Sequence, residues 1–138
     1  MLKDILAISG QGGLFKMISQ TKNSIIVESI VDGKRIPAYS TSRISALEDI
    51  SIYTEDGDVK LKEVFKRIHG KENGGKAIDN KLPNQQLQAY FNEVLPEYDK
   101  DRVYVSDIKK VLNWYNLLHD KNLLKIEEDD STEVNNQE

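Results

Sequence analysis

Near residue 57 the apolar residues change their spacing, from a period of two to a period of about 3.6. No other feature of the sequence constrains the fold as much. Before that point the apolar runs are four to seven residues long and are separated by turn residues. They fall at 5–8, 14–18, 24–30, 35–39 and 50–53, and β-branched residues are frequent in them. Asp32-Gly33 is a hairpin signal between the third and fourth runs. Pro37 inside the fourth run predicts an edge strand, because proline cannot donate to a ladder. Between the fourth and fifth runs, Ala46 and Leu47 predict one helical turn within the connector 44–49.

After residue 57 the pattern is helical. Leu61, Val64, Phe65 and Ile68 recur at i, i+3, i+4 and i+7, with Asp58 as a predicted N-cap and Gly70 as a predicted stop. The polar, glycine-rich stretch 71–81 predicts a flexible loop. A second helix begins near Pro83 or Asn84, carries Leu87, Tyr90, Phe91, Val94 and Leu95, and ends before Pro96. Ser106 is the predicted cap of a third, whose Ile108, Val111, Leu112, Tyr115 and Leu118 form an apolar face widened by Trp114 and Leu117. The predicted class is α+β: a five-stranded small SH3-like β-barrel over residues 1–57, then a three-helix unit over 58–125. A single open sheet is the competing arrangement of the same strands. Such a barrel is marginal alone, so the first helix is expected to pack against it.

The 138 residues are 38% hydrophobic and 30% charged, as befits a soluble domain. The net charge of −4 is unevenly distributed. Residues 1–54 and 55–125 each carry a formal +1, whereas 126–138 hold six acids and no base. That acidic tail is expected to be disordered. A role in shielding the basic first helix is one reading of it, and solubilisation is the plainer one. No apolar run approaches the roughly 20 residues of a membrane span, and no secretory signal opens the chain, so a cytoplasmic location is expected. With no cysteine, disulfides, thiol catalysis and cysteine-zinc sites are excluded.

Other chemistries fall on spacing. In ISGQGGLFKMIS, Gly10 and Gly12 match the first two glycines of a dinucleotide fingerprint, but Phe15 takes the third position and a strand follows. Gly13 precedes Leu14, not the Lys of a Walker loop. The stretch is read as a tight turn between strands. It also resembles, loosely, the opening of the KOW small barrels, without their lysine spacing, and fold analogy supplies no function. His69 and His119 each sit in a predicted last helical turn, where imidazole suits the helix dipole. Neither has a triad or a metal set around it. Asp99-Lys100-Asp101 starts like a calcium loop, but Val103, Tyr104 and Lys110 stand where its later ligands and glycine belong. No metal, no cofactor and no enzymatic activity are expected.

Two surfaces remain. Lys60, Lys62, Lys66, Arg67 and Lys71 give the first helix a basic side, with Lys76 beyond it. This is either a solvated face with a Glu63–Arg67 pair or a nucleic-acid contact surface, to which Lys16 and Arg43 would add and for which Phe15, Tyr39 and Tyr53 are stacking candidates. The aromatics Tyr90, Phe91, Tyr98, Tyr104, Trp114 and Tyr115 fill the helical half, and any exposed subset would suit an interface. The expected function is a non-catalytic binding or adaptor protein that engages another protein through the barrel edge or helical surface. A nucleic-acid-binding module using helix 59–69 is the alternative.

The stretches LKDILAISGQGGLFKMISQT, STSRISALEDISIY and VYVSDIKKVLNWYNLL resemble a small bacterial family of uncharacterised proteins, catalogued as domains of unknown function. The resemblance covers about residues 1–125. It implies a β domain followed by a helical one, and it implies no activity.

Overall fold

The computed structural model describes residues 2, 4–9, 11, 13–39 and 43–124; the acidic segment 126–138 and Gly10 and Gly12 lie outside them, as does the Tyr39 side chain. Five antiparallel strands form the first layer: β1 (Ile5–Ile8), β2 (Phe15–Gln20), β3 (Ser24–Ser29), β4 (Arg35–Tyr39) and β5 (Ile44–Ala46), in the order β4-β3-β2-β1-β5. β4 and β5 end the order, so no closed barrel is recorded among the described residues. Pro37 duly lies on an end strand, opposite Ile26.

The fifth strand differs from the expected one. It is Ile44–Ala46, paired with β1 through Leu6 opposite Ala46 and Ile8 opposite Ile44. Three residues centred on a serine are too short to show a period. The helical turn expected near Leu47 is a 3-10 turn, Leu47–Asp49. The run expected as the fifth strand is instead β6 (Ser51–Thr54), which pairs with β7 (Gly57–Lys60) in a separate hairpin. Gly57, at φ 124°, accepts the Thr54 hydroxyl bond at the hairpin's close. Asp58 therefore pairs with Tyr53 in the ladder and caps nothing. Helix α1 (Leu61–Lys71) starts three residues later, and its first amide, at Leu61, bonds to Ile50 O at 3.0 Å.

α2 (Asn84–Val94) and α3 (Val105–Asp120) complete the chain. α3 is capped by Asp107, not Ser106: its Oδ2 accepts the Tyr104 amide at 3.0 Å. Gly70 lies inside α1. The left-handed residue that ends α1 is Asn73 (φ 53°), with Gly74 N bonded to His69 O at 2.8 Å. Asn122 (φ 57°) ends α3 in the same way, with Leu123 N bonded to Leu118 O. Asparagine tolerates that conformation and closes a helix as glycine does.

One core joins the layers. Leu2, Ile5, Leu14 and Leu47 from the sheet side pack with Leu61, Phe65, Leu87, Phe91 and Leu112 of the helices. Each such side chain contributes about 1.5–3 kcal/mol by leaving water. A smaller cluster, Leu6, Ile8, Phe15, Val27 and Ala38, lies on the sheet's other face. The loop after α1, expected to be flexible, is pinned to α3. Tyr115 OH donates to Gly75 O at 2.7 Å, Asn116 Oδ1 accepts the Ala77 amide at 2.8 Å, and His119 Nε2 lies 3.0 Å from Gly74 O. Those α3 residues are aimed at backbone, a role that residue spacing does not display.

Burial, and then the nearby Glu72 carboxylate, push the Tyr115 hydroxyl up to about 12. Tyr90, buried and bonded to Glu72, is pushed up further. The native state therefore keeps these protons where the unfolded chain, with tyrosines near 10, releases them. Stability is expected to be flat below about pH 9 and to fall as pH rises from about 10 to 12. Tyr115→Phe should flatten part of that fall and cost about 1–3 kcal/mol at neutral pH by orphaning Gly75 O. Urea unfolding across the pH range measures both.

A cationic groove as candidate functional site

The sheet and α3 meet along a seam that stays open. On the sheet side, Ala7 of β1, Ser45 of β5 and the backbone turn at Gly13 form one wall, and Asn113 and Trp114 of α3 form the other. The cavity between them is about 450 Å³, within the range that holds small ligands or side chains. A second cavity of about 200 Å³ continues between β6 and the first half of α3. Ile50, Lys110 and Trp114 line both, so the two form one groove.

The local sequence explains the walls. Asp107, Lys110, Val111 and Trp114 recur at i, i+3, i+4 and i+7, one stripe beside the buried face of α3. Gly13 has φ 79°, a conformation that L side chains rarely adopt, so the β1–β2 corner needs glycine there. The corner is thus a turn, as read from the sequence, and it also closes one end of the groove. At the far end β6 is held by Asp99 N to Tyr53 O and Glu55 N to Glu97 O, both 2.9 Å.

Three cations line the groove: Arg43, Arg102 and Lys110. Arg102 donates Nε to Asp99 Oδ2 at 2.9 Å and lies 4.3 Å over the Tyr53 ring. That bond, followed by the Asp101 amide, holds the Asp99 carboxyl below the usual carboxylate range. Asp107, the carboxylate among the lining residues, is engaged by the Tyr104 amide.

The basic residues singled out on α1 do not gather on one face. Arg67 and Lys71 lie on one flank and point to α2. Arg67 reaches Glu63 and Glu97 at 3.4 Å and Val94 O at 3.5 Å, and Lys71 reaches Glu93 at 3.1 Å. The Glu97 carboxyl is held low by its own backbone amide and then by Arg67. Lys62 and Lys66 lie on the opposite flank, half-buried and also engaged, and Lys60 is the exposed residue before the helix. A helical wheel of 61–71 separates the two flanks, because 62 and 66 project about 100–180° from 67 and 71. Lys76 pairs with Asp120 at 3.2 Å. Of the stacking candidates, Phe15 is buried under the sheet and Tyr53 is exposed. Residue spacing does not show the groove: Trp114 reads as a widening of the apolar face of α3, and Arg43 as an addition to the basic surface. Among the described residues no group of His, Asp and Glu is placed to hold a metal ion, and no helix is long and apolar enough to cross a membrane.

Comparison with known proteins matches two stretches of the chain, which divide between residues 47 and 50. Residues 50–118, half of its length, match the family "Domain of unknown function (DUF6852)", and residues 2–47 match "Domain of unknown function (DUF5606)". A solution NMR structure of a protein from Bacteroides vulgatus, a structural-genomics target, is 47% identical over 89% of each chain, with a TM-score of 0.73. No curated protein matches.

Arg102→Gln should release Asp99: its carboxyl is expected to titrate closer to the ordinary value near 3.9. The Asp99 contribution to stability, present above that value and lost as pH falls through the depressed one, should shrink accordingly. Carboxyl NMR titration of both proteins reads the change.

Proposed function

We propose that this chain, which belongs to the DUF6852 family, is a non-catalytic binding or adaptor protein that engages another protein through the groove between its sheet and α3. One observation carries the reading: the groove places an indole, Ile50 and the exposed cations Arg43 and Lys110 side by side at an open seam. Tryptophan and arginine at a concave, partly apolar surface are the residues that dominate protein interfaces. The β5 strand beside it ends the sheet, so the seam also borders a strand edge.

The same reading takes the sheet as an SH3-like small barrel. Support comes from the curl of its ends. Ala38 of β4 and Ile44 of β5 line a common cavity of about 200 Å³, and both belong to the smaller apolar cluster. The cluster would be exposed on a flat sheet and is enclosed on a curled one.

A photo-crosslinking residue at Asn113 in the full chain, expressed in its own cells, tests the proposal. The expected result is adducts with one or a few discrete proteins, absent when the crosslinker sits at the exposed Gln88 of α2. Equal labelling from both positions would overturn it. Nucleic-acid adducts from Lys60 or Lys71 instead would install the alternative.

A further inference from the structure

The groove and the chain have opposite charge. The protein carries −4 overall, yet Arg43, Arg102 and Lys110 line the groove with Asp107 the one carboxylate among the lining residues. Asp107 is engaged by a backbone amide and Arg102 by Asp99. Arg43 and Lys110, both exposed, therefore set the sign of the larger cavity. Between and beside them lie the apolar surfaces of Ile50 and Trp114, and the neutral polar side chains of Ser45 and Asn113.

We propose that the groove binds an extended acidic segment of a partner protein, with carboxylates on Arg43 and Lys110 and an apolar side chain against Ile50 and Trp114. This rests on the reading of the groove as a protein-binding surface and adds the chemistry of what binds. Size agrees. The stripe from Asp107 to Trp114 rises about 10 Å, which an extended peptide covers in about three residues. Charge complementarity of this kind selects partners and raises association rates more than it raises affinity. Nucleic acid fits less well, because stacking needs an open ring face. Arg102 occupies one face of the exposed Tyr53 ring, and Trp114 is half-buried.

Trp114 is the only tryptophan, so its fluorescence reports on the groove alone. The full chain is titrated with acetyl-Glu-Asp-Leu-Glu-Asp-amide, with the Gln/Asn version of that peptide, and with a dT oligonucleotide. The acidic peptide should give a saturable change that weakens with salt, and the neutral peptide should give none. Arg43→Gln and Lys110→Gln should each weaken binding about tenfold, and Lys60→Gln should leave it unchanged. No saturable response at millimolar acidic peptide, an equal response to the neutral one, or undiminished binding by both groove variants overturns the proposal. A response to the oligonucleotide without one to the peptide overturns it in favour of nucleic acid. If the peptide fails while Asn113 still crosslinks to a protein, the partner's acidity falls and the binding surface stands. Failure of both removes the surface as well.

Discussion

Ile5 and Ala7 of β1 pack toward the helices, while Leu6 and Ile8 pack into the apolar cluster on the sheet's opposite face. A four-residue strand with no polar side chain thus belongs to two cores at once. Strands buried on both faces read as continuous apolar runs, and ILAI is one. The sheet depends on β1 for its order, since both β2 and β5 pair with it. The helices depend on it for a floor, together with Leu2, Leu14 and Leu47.

The groove follows from that joint. β1 and β5 present Ala7 and Ser45 to α3, small side chains that leave space where larger ones would have closed the seam. Trp114 and Lys110 are held at the opening by the same helix that buries Ile108, Val111, Leu112 and Tyr115 on its adjacent face. The pinned loop behind α3 fixes the helix from the other side through Tyr115, Asn116 and His119. A surface set between two packed layers keeps its shape without a ligand, which lowers the ordering cost of binding.

Much of this was legible in residue spacing. The change of period near residue 57, the four strands 5–8 to 35–39, the edge position of Pro37 and the buried faces of all three helices follow from side-chain patterning. What escaped did so for physical reasons. β5 is three residues long, and the separate pairing of β6 is hidden because its partner β7 is half glycine and aspartate, residues of low strand preference that pairing overrides. Helix ends went to Asn73, Asn122 and Asp107, because local backbone bonds decided among several acceptable caps. The groove escaped because it joins residues 7–13, 43–50 and 102–114, and no local pattern announces a seam. The α1 cations illustrate the converse: a basic run in sequence divides onto two flanks, and Arg67 and Lys71 are answered by the carboxylates of α2 and its C-terminal turn.

Sheet and helices are one body joined through β1, with the groove a fixed feature of the joint. Native-state hydrogen exchange on the full chain tests it most directly. The β1 amides bonded to β2 and β5 and the central amides of α3 are expected to exchange through one opening, with the same free energy and the same denaturant dependence. Exchange of β1 through a smaller opening that leaves α3 protected would contradict it: the sheet would then be a separate unit, and the groove a transient contact between two.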